Sequence, residues 1–200
     1  MSGTTRRYLR PAAALAAAAA LTLTGCTADS SSSDGQTGFI SGKGGLDTAP
    51  AASRQEAPAI SGTTLRGDKQ ALADYRGKVV VLNVWGSWCN PCRAEAKGLQ
   101  EVWTKLKTQG QDIQFLGINT RDPDANNAIR FEDSFGIDYP SLYDPDGTQI
   151  LKFPKGSLNP QSIPSTIVVD RQGRLAARAM RPLSAEDLES LIAPVLAESK

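Results

Sequence analysis

Val79 to Val84 form a nearly unbroken apolar run rich in β-branched side chains, and Trp88-Cys89-Asn90-Pro91-Cys92 follows shortly after it. A run of that kind reads as a strand buried on both faces at the centre of a sheet. The next segment predicts a helix from about Asn90 to Thr108, because Leu99, Val102, Trp103 and Leu106 recur at i, i+3, i+4 and i+7. A buried strand that ends in Trp-Cys-x-x-Cys and continues as a helix is the layout of a thiol–disulfide exchange site.

The spacing suits that chemistry. Cys89 stands at the helix start, where free backbone N–H groups and the helix dipole favour a thiolate. Cys92 follows one helical turn later on the same face, within reach of a disulfide after small local adjustment. Cys89 is therefore expected to attack and Cys92 to resolve. Pro91 fits the first turn, where its missing N–H costs nothing. A purely stabilising disulfide, or half of a zinc site, is the competing reading. It is weak, because a bridge over so short a loop gives little stability and zinc needs two further ligands. Glu95 shares the helical face of the two thiols, and two roles stay open for it from the residues alone. It is either a proton relay or a solvated first-turn acid. Trp85 and Trp88 are assigned to packing and to the shape of the surface around the site. Ile163-Pro164 precedes a predicted strand, a position that allows either peptide isomer.

The chain has 200 residues, three cysteines and no histidine. The lack of histidine removes Ser-His and Cys-His hydrolases and imidazole metal sites together, so no metal and no cofactor are expected. Arg6, Arg7 and Arg10 ahead of the Ala-rich stretch Ala12 to Leu23 read as an export signal, and that stretch is shorter than the roughly 20 residues that span a bilayer. Leu23-Thr24-Gly25-Cys26 resembles the bacterial lipoprotein box, which makes Cys26 the candidate for lipidation. Residues 26–56 are poor in large apolar side chains and are read as a lipidated N-terminus with a disordered linker, leaving residues 57–200 for one folded domain. Without residues 1–25 the chain carries 19 basic and 21 acidic side chains, which gives no nucleic-acid footprint.

Within the domain, Ala57 to Asp74 predicts a β-hairpin with a short turn at Leu72–Tyr75, Ile113 to Ile118 a buried strand, and Asp124 to Phe135 a helix closed by Gly136. Leu151 to Ser162 predicts an irregular surface connection. Thr166–Val169 and Leu175–Met180 flank a turn and predict a hairpin, and Ser184-x-x-Asp187 opens a last helix. This order is that of a layered α/β domain.

The segment Leu72 to Glu95, with Val79-Val80-Val81-Leu82-Asn83-Val84-Trp85-Gly86-Ser87-Trp88-Cys89-Asn90-Pro91-Cys92 at its heart, resembles the TlpA/ResA-like family of extracytoplasmic thioredoxin-fold proteins. The likeness extends over about residues 57–198, through Gly117-Ile118-Asn119, Tyr139 to Asp144 and Ile163-Pro164-Ser165-Thr166. It implies an α/β thioredoxin-like fold, a central mixed β-sheet flanked by helices with an N-terminal β-hairpin extension. It further implies Cys89 as nucleophile, Cys92 as resolving thiol, Glu95 as active-site acid and Pro164 as a cis-proline beside the Cys89–Cys92 disulfide. Cytosolic thioredoxins carry a buried Asp where this chain has Asn83, a departure that points to the membrane-associated branch with Glu95 in the proton role. Members of that branch commonly keep the haem-attachment cysteines of apocytochrome c reduced, with electrons from a membrane thiol reductase of the CcdA or DsbD type. A disulfide oxidase for secreted proteins would use the same two cysteines. A peroxidase would need Pro-x-x-x-Thr-x-x-Cys, but Leu82 and Gly86 occupy those places. A non-catalytic binding lipoprotein on the same fold would predict a degenerate cysteine pair, and here the pair is intact.

Overall fold

The computed structural model of the chain describes residues 1–4 and 37–199, so the export-signal reading and Cys26 lie outside the described residues. In chain order the regular elements are β1 (Asp47–Thr48), β2 (Ser61–Thr63), β3 (Lys69–Ala71), β4 (Val79–Trp85), α1 (Asn90–Thr108), β5 (Ile113–Thr120), α2 (Ala125–Phe135), β6 (Ser141–Asp144), β7 (Ser165–Val169), β8 (Leu175–Ala179) and α3 (Ala185–Leu196). Six strands form one mixed sheet in the order β1-β8-β7-β4-β5-β6, and β2 and β3 form a separate hairpin that ends in a 3-10 turn at Leu72–Tyr75. β4 runs parallel to β5 and antiparallel to β7, and every one of its residues is buried.

Alternation along β4 sorts the sheet's two faces. Val79 and Val81 pack with Leu99, Val102 and Trp103 of α1 and with Leu188, Leu191 and Ile192 of α3. Trp85, on the same face, stacks on Phe131 of α2 with ring centroids 4.6 Å apart. All three helices therefore lie on one face. Val80, Leu82 and Val84 face the other way, onto Phe39, Ile60, Leu72, Ile150, Phe153 and Leu158. The second layer there is built from turns and extended chain.

That covering corrects two expectations. Residues 37–56, read as part of a disordered tether, are packed: β1 pairs with β8, Phe39 is 1% exposed, and Arg54 bonds Asp170 at 3.0 Å and Glu198 at 2.6 Å. The segment has no hydrophobic run; it is held by the β1–β8 pairing, the buried Phe39 ring, the Asp47–Arg178 ion pair and the Arg54 guanidinium. The connection Leu151 to Ser162 is irregular as expected, yet it buries Phe153 and Leu158 and is no mere surface loop. Helix ends follow their caps: Asp124 accepts from Asn126 N at 2.9 Å, Gly136 closes α2 in the left-handed region, and Ser184 accepts from Asp187 N at 3.1 Å.

Candidate active site

β4 ends at the buried Trp85, and Gly86-Ser87-Trp88 carries the chain out to the surface and into α1. Gly86 is needed for a close approach: a Cβ there would lie 2.7 Å from the Trp88 indole nitrogen, which folds back over it. Cys89 is the N-cap of α1, and its Sγ accepts the backbone N–H of Cys92 at 3.1 Å. In the reduced protein that N–H and the helix dipole favour the Cys89 thiolate. Cys89 and Cys92 are joined as a disulfide with Cα atoms 5.2 Å apart. In this oxidised state Cys89 is 3% and Cys92 1% exposed, while Trp88 stands 49% exposed beside them. Pro91 lies in the first turn of α1. The Ile163–Pro164 peptide is cis, and the Ile163 carbonyl oxygen is 3.8 Å from Cys89 Sγ. The pairing of Asn83 with Thr166 and of Val84 with Ser165 brings that proline loop to the end of β4.

Glu95 is buried one turn beyond Cys92, with 2% exposure. Its Oε1 accepts from Asn83 Nδ2 at 2.9 Å and its Oε2 from the backbone N–H of Leu183 at 2.9 Å. Asn83 also donates to Thr166 Oγ1 at 3.3 Å, so one amide ties the acid on α1 to the strand that follows the cis-proline. Burial pushes the Glu95 carboxyl up to about 7, against the pull of those two donors. A carboxyl of that pKa, one turn beyond Cys92, is suited to proton transfer near neutral pH.

Three features escaped the sequence reading. Asp122, 1% exposed, accepts from Ser87 N at 2.8 Å and Asn119 Nδ2 at 2.7 Å, and also from the Ser87 hydroxyl, which pins the segment leading to Cys89. Arg121, just before it, holds φ +58° and lays its guanidinium 4.7 Å from the Trp88 ring centroid. The left-handed backbone costs a non-glycine residue roughly 1–2 kcal/mol. Glu132 on α2 is the third, a second buried acid pushed up to about 7 by desolvation, at the edge of a polar cavity of about 420 Å³. Asp122 and Arg121 lie more than thirty residues from the loop they grip, and no local pattern marks them. An apolar cavity of about 240 Å³ is lined by Ile60, Leu72, Tyr75, Val80 and Val169 and includes none of the reacting groups.

Sulfur chemistry at the C-terminal end of the central strand of such a sheet, across from a cis-proline, belongs to the thioredoxin-fold thiol–disulfide oxidoreductases, and this chain is one of them. It is 32% identical over 133 residues to the thiol-disulfide oxidoreductase ResA of Geobacillus kaustophilus, covering 66% of this chain and 72% of the relative. The chain belongs to the AhpC/TSA family, which it matches over residues 53–178, and within it to the ResA-like oxidoreductases. Among solved structures it is similar to a secreted thiol-disulfide isomerase from Corynebacterium glutamicum, with TM-score 0.72, 36% identity and coverage of 77% of this chain and 93% of that one. A DsbF homologue from Corynebacterium diphtheriae matches with TM-score 0.65 and 39% identity, over 76% of this chain and 94% of its own.

Proposed function

We propose that the protein is a lipid-anchored extracytoplasmic disulfide reductase acting on disulfides of the apocytochrome Cys-x-x-Cys-His kind. The observation that carries this reading is Glu95, a buried acid on α1 one turn beyond Cys92, with its carboxyl near 7. A carboxylate there disfavours the neighbouring thiolate, which makes the dithiol a better electron donor. The cycle balances as follows. The Cys89 thiolate attacks a client sulfur, a mixed disulfide forms and one client thiolate leaves. Glu95 takes the Cys92 proton, Cys92 attacks Cys89 Sγ, and the second client thiolate leaves and is protonated. Two electrons have passed to the client and the Cys89–Cys92 disulfide has closed. A membrane thiol reductase of the CcdA or DsbD type would restore the dithiol, and lipidation at Cys26 would keep the domain near it. Trp88, Pro91, Ile163 and Pro164 shape the face that the client meets.

Replacing Cys92 with Ser stops the cycle at the mixed disulfide. In membranes expressing that variant, the reductase reading predicts covalent capture of apocytochrome, together with a purified-protein reduction potential nearer thioredoxin's roughly −270 mV than the roughly −120 mV of strong oxidants. The secreted isomerase and the DsbF homologue, at 36% and 39% identity, favour a second reading, an enzyme that oxidises or rearranges disulfides of secreted proteins. Capture of many secreted proteins and a potential at the oxidising end would replace the first reading with the second.

A further inference from the structure

Two cations flank the segment that leads into Cys89. Arg121 is exposed, its guanidinium lies against Trp88, and that guanidinium has no hydrogen bond or ion pair with any described residue. Arg93 is exposed in the first turn of α1, with its guanidinium 5.5 Å and 5.3 Å from the ring centroids of Phe131 and Phe135 and 3.5 Å from the Ser87 carbonyl oxygen. It too has no carboxylate partner among the described residues. Of the acids nearby, Asp122 is buried under three donors from Ser87 and Asn119 and Asp124 caps α2, while the exposed Asp146, beside the Pro145 carbonyl that accepts the Arg121 N–H, makes no ion pair with the guanidinium. The left-handed backbone at Arg121 places consecutive side chains in opposite roles, with Asp122 buried against Ser87 and Arg121 exposed on Trp88. A strained backbone that holds an unpaired cation beside a reacting group is the kind of feature retained for recognition.

We propose that Trp88 and Arg121, with Arg93 in support, form a specificity surface that selects clients carrying an acidic side chain next to the reacting cysteine. The inference rests on the exchange function proposed above and names the substrate class for it. A client sulfur that reaches Cys89 brings its flanking residues against Trp88, the residue before Cys89. The half-exposed indole offers them an apolar platform, and the guanidinium on its rim offers a fork suited to a carboxylate. Stacking already restrains the Arg121 side chain, so little freedom is lost when the carboxylate arrives.

The test compares disulfide peptides that differ only in a Glu, Gln or Lys beside one cysteine, with 2-hydroxyethyl disulfide as a neutral reference, using the reduced protein at low and high ionic strength. The wild type is expected to react with the Glu peptide about tenfold faster than with the Lys peptide at low salt, and the ratio to shrink towards 1 near 1 M salt, where the screening length is about 3 Å. Arg121→Glu should invert the ratio. Arg121→Gly should bring it close to 1 without lowering the melting temperature, because glycine accepts the left-handed backbone. Lys78→Glu makes the same charge change at the opposite end of β4 and should leave the ratio as it is. Equal rates for all three peptides, with the neutral disulfide still reduced, would overturn this surface alone. No reaction with any disulfide would overturn the exchange function and this inference with it.

Discussion

Glu95 on α1 and Glu132 on α2 are both almost fully buried, and desolvation pushes both carboxyls up to about 7. Their settings differ. Each oxygen of Glu95 accepts a fixed donor, one from Asn83 and one from the backbone of Leu183, and the residue sits one turn from Cys92. Glu132 Oε1 makes no well-formed hydrogen bond, its Oε2 is 3.5 Å from the half-exposed Arg66, and it borders a cavity lined by Thr64, Asp68, Gln114 and Ser141. A raised pKa is thus a by-product of burial at both places. Position one turn beyond Cys92 and two preset donors are what make only Glu95 the acid assigned to the proposed exchange cycle.

Removing each acid in turn tests the contrast most sharply. Glu95→Gln keeps the shape but sets an NH₂ against a backbone or amide donor, and it is expected to slow disulfide exchange about 10²-fold at pH 7. The inflection near pH 7 in the rate profile should vanish with it, and stopped-flow kinetics from pH 5 to 9 measure both effects. Glu132→Gln should leave that profile within about twofold; a comparable loss there would erase the distinction. The same variant removes a buried ionisation and should stabilise the fold at pH 8 by about 1 kcal/mol, allowing for Arg66 and partial solvation, as read from urea midpoints.

The wild type's own pH dependence comes next. Both acids have folded-state pKa values above the unfolded 4.5, so between about 4.5 and 7 the folded chain holds more protons than the unfolded chain. Their contribution to stability is full below pH 4.5 and is lost as pH rises through about 7, so the melting temperature should fall from pH 5 to 8 and flatten in the Glu95→Gln, Glu132→Gln double variant. The smallest effect belongs to Asn83→Ala. Losing one donor should raise the Glu95 inflection by no more than about one pH unit, visible as a shift of the same kinetic profile.

The helical half of the fold was legible in the sequence because its signals are local. Val79 to Val84 announced a buried strand, the stripe from Leu99 to Leu106 gave α1 its bounds at Asn90 and Thr108, and Asp124 and Gly136 marked the ends of α2. The thiols followed from spacing along one helix, whereas spacing left Glu95 open between a proton relay and a solvated acid and only the family resemblance singled it out. The β2–β3 and β7–β8 hairpins were legible from their turns as well, but the edge strands β1 and β6 were hidden because distant partners make them. β1 has two residues and no apolar pattern, and β6, with four, shows only Leu142 as a large aliphatic. Phe39 and Arg54 do in space what a hydrophobic run would do in sequence. Asp122 and Glu132 looked like ordinary loop and helix acids, and only packing against Ser87 or burial near Ser141 sets them apart.

The three-way grip of Asp122 on Ser87 and Asn119 bears on how the redox pair is held. The segment that presents Cys89 is fastened by oxygen and nitrogen, through contacts that involve neither sulfur. The disulfide is thus seated on a polar frame that is separate from the bond it makes and breaks.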